Sequence, residues 1–267
     1  MPSEAGLIPA DWPEDWLRPH WAPDSGIAVK AFMSTRSGGV SQGPYASMNV
    51  GMAVRDDPAA VVENRARVER ALGSRAVFLQ QVHGAEVLLL QDQHVQPGAA
   101  VPVADASVST TPGLAVAIQV ADCLPVLFAA PGGVAGAHAG WRGLSLGVLE
   151  NTVEALCKAV HCRPNQVQAW LGVCIGPQAF EVGAEVLAAF GQTASPQDSE
   201  FFRFQANAQG EPRWRADLAG LARQRLQKME LNYIGSAQGC SYSEPSRFFS
   251  YRRDSVCGRM VAAISLA

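Results

Sequence analysis

The sequence has little positive charge, few cysteines and no long uninterrupted apolar run. Its 21 lysines and arginines are outnumbered by 24 acidic residues, which leaves a formal net charge of −3 over 267 residues. Affinity for a phosphate backbone or an anionic bilayer rests on a basic surface, so this balance argues against a protein that binds nucleic acid or a membrane. The same charge balance is compatible with a small substrate that is bound by a few residues of one site.

The six cysteines are too sparse for a disulfide scaffold. The first residues, Met1 to Gly6, carry neither the basic segment nor the apolar stretch of an export signal. The longest apolar stretch, residues 114–130, is interrupted by Gln119 and Asp122 and falls short of the ~18 residues of a membrane span. We therefore expect a cytoplasmic protein with reduced thiols, in which any special cysteine is a ligand, a nucleophile or part of the core.

The chain divides into a short arm and one domain. Residues 1–25 place three tryptophans among prolines, a pattern typical of a non-helical arm whose rings pack on the body of the protein. Residues 26–267 contain no linker, repeat or low-complexity segment. With 48% apolar residues available for a core, we predict a single domain there.

Alternating strand and helix patterns predict an α/β fold, a layered α-β sandwich around a largely buried mixed sheet. Apolar runs over 114–120, 125–130 and 134–137 are typical of strands buried on both faces and mark the centre of that sheet. Asp57 and Pro58 begin a helix that ends at Gly73. The remaining patterns predict helices over 143–160, 184–190 and 214–231, and strands over 26–33, 76–82, 85–90, 167–175 and 260–266.

None of the familiar catalytic motifs identifies an active site in this sequence. A G-x-S-x-G pattern at 143–147 would make Ser145 an esterase nucleophile, but the preceding strand ends near His138, which leaves Ser145 inside a helix. No aspartate lies between Ser145 and His161 to complete the triad. The usual zinc-protease, zinc-finger, NTPase and cytidine-deaminase motifs are missing as well. The chemistry must use dispersed residues.

Three dispersed residues stand out by position. His83, Cys123 and His138 each end or interrupt a buried strand beside Gly or Pro, where α/β sheets expose side chains to a crevice. Two imidazoles and a thiolate suit a catalytic Zn²⁺ that keeps a fourth position open. The same residues allow a nucleophilic cysteine paired with a histidine, or plain core packing. Spacing alone does not decide among these three hypotheses, a metal site, a nucleophilic cysteine or core packing.

Six motifs, in order along the chain, resemble the laccase-domain, or multicopper polyphenol oxidoreductase, family of purine nucleoside phosphorylases. They are T-R-S-G-G-V-S at 35–41, Q-V-H-G at 81–84, A-D-C-L-P at 121–125, H-A-G-W-R-G at 138–143, G-P with F-E-V-G at 176–183, and S-Y-R-R-D at 250–254. One stretch departs from the family pattern: residues 255–259 read S-V-C-G-R where a run with Gly and Thr is expected.

The resemblance implies a fold similar to the catalytic domain of the cytotoxic necrotizing factor. It implies a metal site made by His83, Cys123 and His138, with zinc as the expected ion and copper possible. It also implies phosphorolysis of adenosine, inosine and methylthioadenosine, together with deamination of adenosine. The expected partners are therefore a nucleoside and phosphate.

This chemistry needs anion-binding groups and a proton carrier near the metal. Arg142, four residues after His138, is our first candidate for phosphate, with Arg36 in the glycine-rich loop and Arg253 as further candidates. Deamination needs a carboxylate that moves a proton, for which Asp122 and Glu181 are the candidates. Asp122 lies in an apolar strand and must have a partner, so we also expect that it orients a histidine.

Other functions are weighed against this one. The family resemblance also suggests a hydrolase that edits peptidoglycan precursors, and a metal-binding protein without turnover is a further alternative. A copper-dependent polyphenol oxidase fits least, since a four-copper laccase needs about ten histidines, largely in H-x-H pairs. This chain has five histidines and no such pair.

Overall fold

The computed structural model describes residues 12–22 and 26–267, which form thirteen strands and six helices. The strands are β1 (Val29–Met33), β2 (Arg75–Phe78), β3 (Val87–Leu89), β4 (Ala106–Ser109), β5 (Leu114–Val120), β6 (Leu124–Ala130), β7 (Gly133–Ala139), β8 (Gln168–Leu171), β9 (Glu181–Val182), β10 (Phe202–Phe204), β11 (Trp214–Ala216), β12 (Tyr233–Ser236) and β13 (Met260–Leu266). The helices are α1 (Pro58–Leu72), α2 (Trp141–Ser145), α3 (Val148–Val160), α4 (Ala184–Ala189), α5 (Leu218–Lys228) and α6 (Tyr251–Asp254).

The strands form three sheets. A four-stranded sheet has the order β1-β13-β5-β2, a six-stranded sheet has the order β12-β8-β6-β7-β4-β3, and a three-stranded sheet has the order β10-β11-β9. The two larger sheets mix parallel and antiparallel pairs. The predicted single sheet is therefore wrong. Strand β5 belongs to one sheet and β6 to the other, so the chain crosses between them at residues 121–123.

Two mixed sheets lie face to face between helices. Val116 and Ile118 of β5 pack towards the six-stranded sheet, while Ala115 and Ala117 pack on the opposite side, with α1. Helices α3 and α5 cover the outer face of the six-stranded sheet. Strands covered on both faces have no polar alternation, which explains the near-continuous apolar runs. The layered α/β class is confirmed, and the likeness to the cytotoxic necrotizing factor remains a prediction.

The start and end of α1 follow the sequence prediction. The Asp57 carboxylate accepts a hydrogen bond from the backbone N–H of Ala59 at 3.0 Å, and Pro58 occupies the first turn. Such a cap satisfies an N–H that the helix itself leaves free. Gly73, with φ of 67°, ends the helix as predicted.

Two other helix predictions are only partly correct. The helix over 143–160 is divided into α2 and α3, because Gly147 adopts a left-handed φ of 90°. The predicted helix from residue 214 begins instead at Leu218. Trp214–Ala216 forms a strand, and the Asp217 carboxylate caps α5 by accepting from the N–H of Gly220 at 2.8 Å.

The described part of the arm contacts the outer face of the four-stranded sheet. The indole N–H of Trp12 donates to the carbonyl of Ala71, and the ring of Trp16 lies 4.5 Å from that of Phe32. Residues 1–11 and 23–25 of the predicted arm lie outside the described residues, and the division into arm and domain stays a prediction. No helix in the described ranges is both long and apolar enough to cross a membrane.

Candidate metal centre

The structure brings His83, Cys123 and His138 together where the two large sheets meet. His83 lies in the loop after β2, Cys123 on the crossing from β5 to β6, and His138 near the end of β7. Their nitrogen and sulfur ligand atoms all lie within 4.8 Å of one another. His138 is buried, Cys123 is partly buried and His83 is exposed, so the group opens on one side to solvent.

Two left-handed residues make this meeting possible. His83 has φ of 62° and Asp122, immediately before Cys123, has φ of 93°. Few residues other than glycine adopt such angles, and a position that holds them is commonly over-determined by its surroundings near a functional site. The strain therefore lies at two of the three segments that carry ligand atoms.

The electrostatics of the group favour a thiolate beside an imidazolium. Burial raises the pKa of the Cys123 thiol, but His138 and His83 beside it outweigh this effect and lower that pKa to about 6. Burial likewise lowers the pKa of His138, but Cys123 and Asp105 raise it to about 9. A low-pKa thiolate is the form of cysteine that binds a metal.

Asp105 is a buried residue of the site that the sequence analysis did not find. Its Oδ1 accepts from Nδ1 of His138 at 2.8 Å, and its two oxygens also accept from the backbone N–H groups of residues 82–84. Burial raises the pKa of this carboxyl, but the hydrogen bonds from His138 and from the backbone lower it below its usual range. In the sequence Asp105 precedes the mixed run A-S-V-S of β4, so it lacks the apolar surroundings that marked Asp122.

Asp122 has partners, but they are not histidines. Its Oδ1 accepts from the hydroxyl of Ser241 at 2.6 Å and its Oδ2 from the backbone N–H of Arg252 at 2.7 Å. The expectation that Asp122 orients a histidine is therefore wrong, and that contact belongs to Asp105. Asp122 still lies against the open side of the group, next to Cys123.

A cavity of about 640 Å³ opens over the three ligand residues. This size falls within the usual range of small-molecule sites. One part of its wall is apolar and includes Leu79, Val120, Ile175, Phe180 and Leu218. The polar part consists of glutamines 80, 81 and 119, with Asp122 and three arginines, Arg142, Arg252 and Arg259.

Of the three arginines predicted to bind phosphate, only Arg142 lines this cavity. Arg36 donates instead to the carbonyls of Ala46 and Pro245. Arg253 donates to three backbone carbonyls and pairs with Asp254. Both guanidinium groups hold loops together, so the structure does not support their assignment to phosphate.

Arg142 is placed differently from these two. Its guanidinium lies over the ring of Trp141, 4.4 Å from the ring centroid, and the residue is exposed at the cavity. Within the described ranges its guanidinium donates no hydrogen bond to the protein, so its N–H groups are free to bind a ligand. A stacked and unpaired guanidinium is well suited to an anion.

Arg252 and Arg259 were missed as cavity residues. Arg252 donates to the carbonyl of Glu181 and lies over the ring of Phe180. Arg259 donates through one nitrogen to the carbonyls of Cys257 and Gly258. Arg252 lies within the S-Y-R-R-D motif, next to Arg253, and Arg259 follows that motif by five residues, but only Arg253 was predicted to bind phosphate.

Glu181 does not line the cavity. Its carboxylate pairs with the guanidinium of Arg215 at 3.2 Å within the three-stranded sheet. Ser145, the residue of the G-x-S-x-G pattern, is the last residue of α2, and its hydroxyl donates to the carbonyl of Arg142. The helical position predicted for Ser145 is confirmed.

The donor set fits a soft or borderline metal ion. Two imidazole nitrogens and one thiolate sulfur are the ligand types of zinc, and they also suit copper. Asp105 behind His138 is the kind of carboxylate partner that metal-binding histidines usually have. The residues present therefore fit a metal ion with one position open to the cavity.

Comparisons with known proteins agree over nearly the whole chain. Residues 30–267 match the family described as multi-copper polyphenol oxidoreductase laccase. The chain is 45% identical over 252 residues to the purine nucleoside phosphorylase YfiH of Escherichia coli, covering 93% of this chain and 97% of that protein. It is 43% identical over 253 residues to a purine nucleoside phosphorylase of Pseudomonas aeruginosa, covering 94% and 98%. A crystal structure of a Neisseria meningitidis protein matches with a TM-score of 0.82 at 40% identity, covering 95% of this chain and 99% of that one.

Proposed function

The chain belongs to the multi-copper polyphenol oxidoreductase laccase family, and on this premise we propose that it is a zinc-dependent purine nucleoside phosphorylase. Adenosine, inosine and methylthioadenosine are the proposed substrates. One observation carries the proposal: the His83, Cys123 and His138 group lies in a cavity with an apolar wall and an unpaired guanidinium. Relatives named as purine nucleoside phosphorylases at over 40% identity support the same conclusion.

Phosphorolysis sets two requirements for such a cavity. A phosphate oxygen forms a bond to the anomeric carbon of the sugar while the bond from that carbon to the purine nitrogen breaks. The electron pair of the broken bond leaves with the purine, which takes up a proton. The site must therefore hold an anion against the sugar and stabilise the departing base.

Arg142 is the proposed phosphate-binding residue. Its N–H groups are unpaired in the described residues, and stacking on Trp141 limits the positions that the guanidinium can take. Arg252 and Arg259 lie on the same cavity and retain N–H groups beyond those given to backbone carbonyls. We assign to these two the second contact that the sequence analysis gave to Arg36 and Arg253.

The purine would contact the apolar wall. Phe180, Ile175 and Leu218 are each less than a tenth exposed, so they form a fixed surface. A flat aromatic base gains stacking and apolar burial against such a surface. The arrangement would therefore separate the base from the anion that attacks the sugar.

Zinc held by His83, Cys123 and His138 would supply a Lewis acid that stabilises negative charge developing in the cavity. These three residues would orient the ion, with the Cys123 thiolate as the anionic ligand. Two of the five histidines belong to the group, which is too few for a laccase copper cluster. We therefore propose zinc, with copper as the alternative that metal analysis tests.

Deamination of adenosine at the same site is a second proposal. The observation that favours it is the carboxylate of Asp122, which lines the cavity next to Cys123. A carboxylate in this position can accept a proton from water and return it to the leaving amine. We assign this role to Asp122 rather than to Glu181, whose carboxylate pairs with Arg215.

Incubation of adenosine with the purified protein, with and without phosphate, tests both proposals. His83→Ala removes a ligand, and His94→Ala is the matched control, because His94 is partly exposed and its ring hydrogen-bonds only to the backbone of Gln91. We expect adenine only when phosphate is present, and only from the wild type and the control. Inosine formed without phosphate by the same two proteins would support deamination. Equal activity in the His83→Ala protein would overturn the assignment to this site.

A further inference from the structure

Asp105 contacts both histidine segments of the candidate centre, and this suggests a role that none of the motifs indicated. We propose that Asp105 is the positioning residue of the metal centre, and that its single carboxylate fixes the ring of His138 and the loop of His83 together. The inference rests on the metal site of the proposed function. The Asp105 carboxylate has no exposed surface and accepts four hydrogen bonds from the two segments.

The contact with His138 determines which ring nitrogen is free for a metal. Oδ1 of Asp105 lies 2.8 Å from Nδ1 of His138, and a carboxylate can only accept there. Nδ1 therefore carries a proton, so Nε2 is the nitrogen that can bind a metal once the imidazolium has lost its second proton. The backbone strengthens this placement, since the N–H of His138 donates to the carbonyl of Asp105 at 2.7 Å.

The contacts with the other segment determine where His83 lies. The N–H of His83 donates to Oδ1 at 2.9 Å, while the N–H groups of Val82 and Gly84 donate to Oδ2 at 3.0 and 2.7 Å. These three bonds gather the loop around one carboxylate and support the left-handed φ of His83. The two imidazole rings lie 4.8 Å apart, centre to centre, on either side of this arrangement.

An asparagine has the same shape but cannot replace this carboxylate. Each Asp105 oxygen accepts from two donors, so an amide group in either orientation would face two N–H groups with its own N–H₂. The loop of His83 or the ring of His138 would lose its partner. Loss of a carboxylate that holds a metal-binding histidine in place typically lowers metal affinity by about 10- to 100-fold.

Zinc affinity, measured by competition with a chromophoric chelator, tests the proposal. We expect Asp105→Asn to bind zinc about 10- to 100-fold more weakly than the wild type. Asp122→Asn is the matched control, because it removes a carboxylate next to Cys123 that contacts neither histidine, and asparagine tolerates the left-handed angle there. Its affinity should stay within about threefold, since no ligand loses a contact. If both variants bound zinc equally weakly, the effect would come from the lost negative charge alone and the proposal would be overturned. An Asp105→Asn protein with the zinc affinity of the wild type would also overturn it.

A measurement on the unaltered protein covers the case in which Asp105→Asn does not fold. In the zinc-loaded wild type labelled with nitrogen-15 at histidine, correlation spectra of the rings report which nitrogen of His138 carries the proton. We expect Nδ1, and a proton on Nε2 would overturn the proposal. A purely structural Asp105 would not determine this choice.

The two proposals fail in different ways. If zinc affinity and the ring spectra follow the expectations but adenosine is not cleaved, the phosphorylase assignment fails and the role of Asp105 stands. If adenosine is cleaved but Asp105→Asn binds zinc as tightly as the wild type, the role of Asp105 fails alone.

Discussion

The guanidinium of Arg142 lies over the indole of Trp141, 4.4 Å from the ring centroid, and the residue lines the cavity. Stacking holds the charge in place without consuming its hydrogen bonds. The two residues are neighbours at the start of α2, directly after His138 and Gly140. The strand that carries His138 thus also determines where the guanidinium of Arg142 lies.

Replacing Arg142 by alanine should weaken phosphate binding. A hydrogen bond to a charged group contributes about 1.5–3 kcal/mol, so we expect the KM for phosphate to rise about 10- to 100-fold. The KM for the nucleoside should change little. Initial rates at varied phosphate measure this effect. Arg203→Ala is the matched control, because Arg203 is exposed and its guanidinium donates no hydrogen bond within the described ranges. An unchanged KM for phosphate in the Arg142→Ala protein would contradict the assignment.

Replacing Arg36 by alanine should affect stability rather than phosphate binding. Its guanidinium joins the carbonyls of Ala46 and Pro245 and lies over the ring of Phe249. Loss of these contacts should lower the free energy of unfolding by about 1–3 kcal/mol. Urea unfolding measures the change, and phosphate kinetics should stay as in the wild type. A rise in the KM for phosphate without a loss of stability would restore Arg36 as a phosphate ligand.

The thiol of Cys123 should titrate near neutrality in the protein stripped of metal. Burial raises its pKa, and the neighbouring histidines lower it to about 6, below the ordinary value of a thiol. The ultraviolet absorbance of a thiolate should therefore increase with a midpoint near pH 6. Cys123→Ser should abolish this step. A midpoint near the ordinary thiol pKa would show that the histidines do not stabilise the thiolate.

Zinc affinity should fall on acidification, and its pH dependence should have two slopes. Metal binding must displace a proton from His138 below pH about 9, and also from Cys123 below pH about 6. The fall should thus be steeper below pH 6 than between 6 and 9. Chelator competition at a series of pH values measures both slopes. A flat profile between pH 6 and 9 would contradict the raised pKa of His138.

Substitutions at two glycines should distinguish an effect on metal binding from an effect on stability. A Cβ at Gly140 would lie 2.8 Å from Nδ1 of His83 and 3.0 Å from the sulfur of Cys123. A Cβ at Gly136 would lie 2.7 Å from Val116 in the facing sheet. Gly140→Ala should weaken zinc binding about tenfold or more by displacing ligands. Gly136→Ala should instead lower the free energy of unfolding by about 1–3 kcal/mol through overpacking and leave zinc affinity unchanged. The reverse pattern would refute the ligand assignment.

Local signals predicted part of the fold well. Asp57, Pro58 and Gly73 determine α1 through contacts within a few residues, so their sequence was sufficient. Apolar runs predicted β5 and β13 with the limits that the structure shows. Those runs could not show that β5 and β6 lie in different sheets, because a strand covered by a helix and one covered by a second sheet have the same pattern.

The site shows the same division between local and distant signals. His83, Cys123 and His138 were recognisable by position beside Gly or Pro at strand ends. Asp105 was not, since its partners, the backbone N–H groups of residues 82–84 and the ring of His138, are distant in sequence and meet it only through the fold. Arg36 and Arg253 lie in motifs as polar as that of Arg142. Only the fold shows that their guanidinium groups already donate to backbone carbonyls.

The crossing from β5 to β6 has a consequence for the order of assembly. His83 follows a strand of the four-stranded sheet, His138 belongs to the six-stranded sheet, and Cys123 lies on the segment that joins them. No pair of neighbouring elements can build the ligand set, so it must form after both sheets have docked. Contacts between such distant segments are slow to form, because the intervening chain must first be ordered. The proposed zinc site would therefore exist only in molecules in which both sheets have docked.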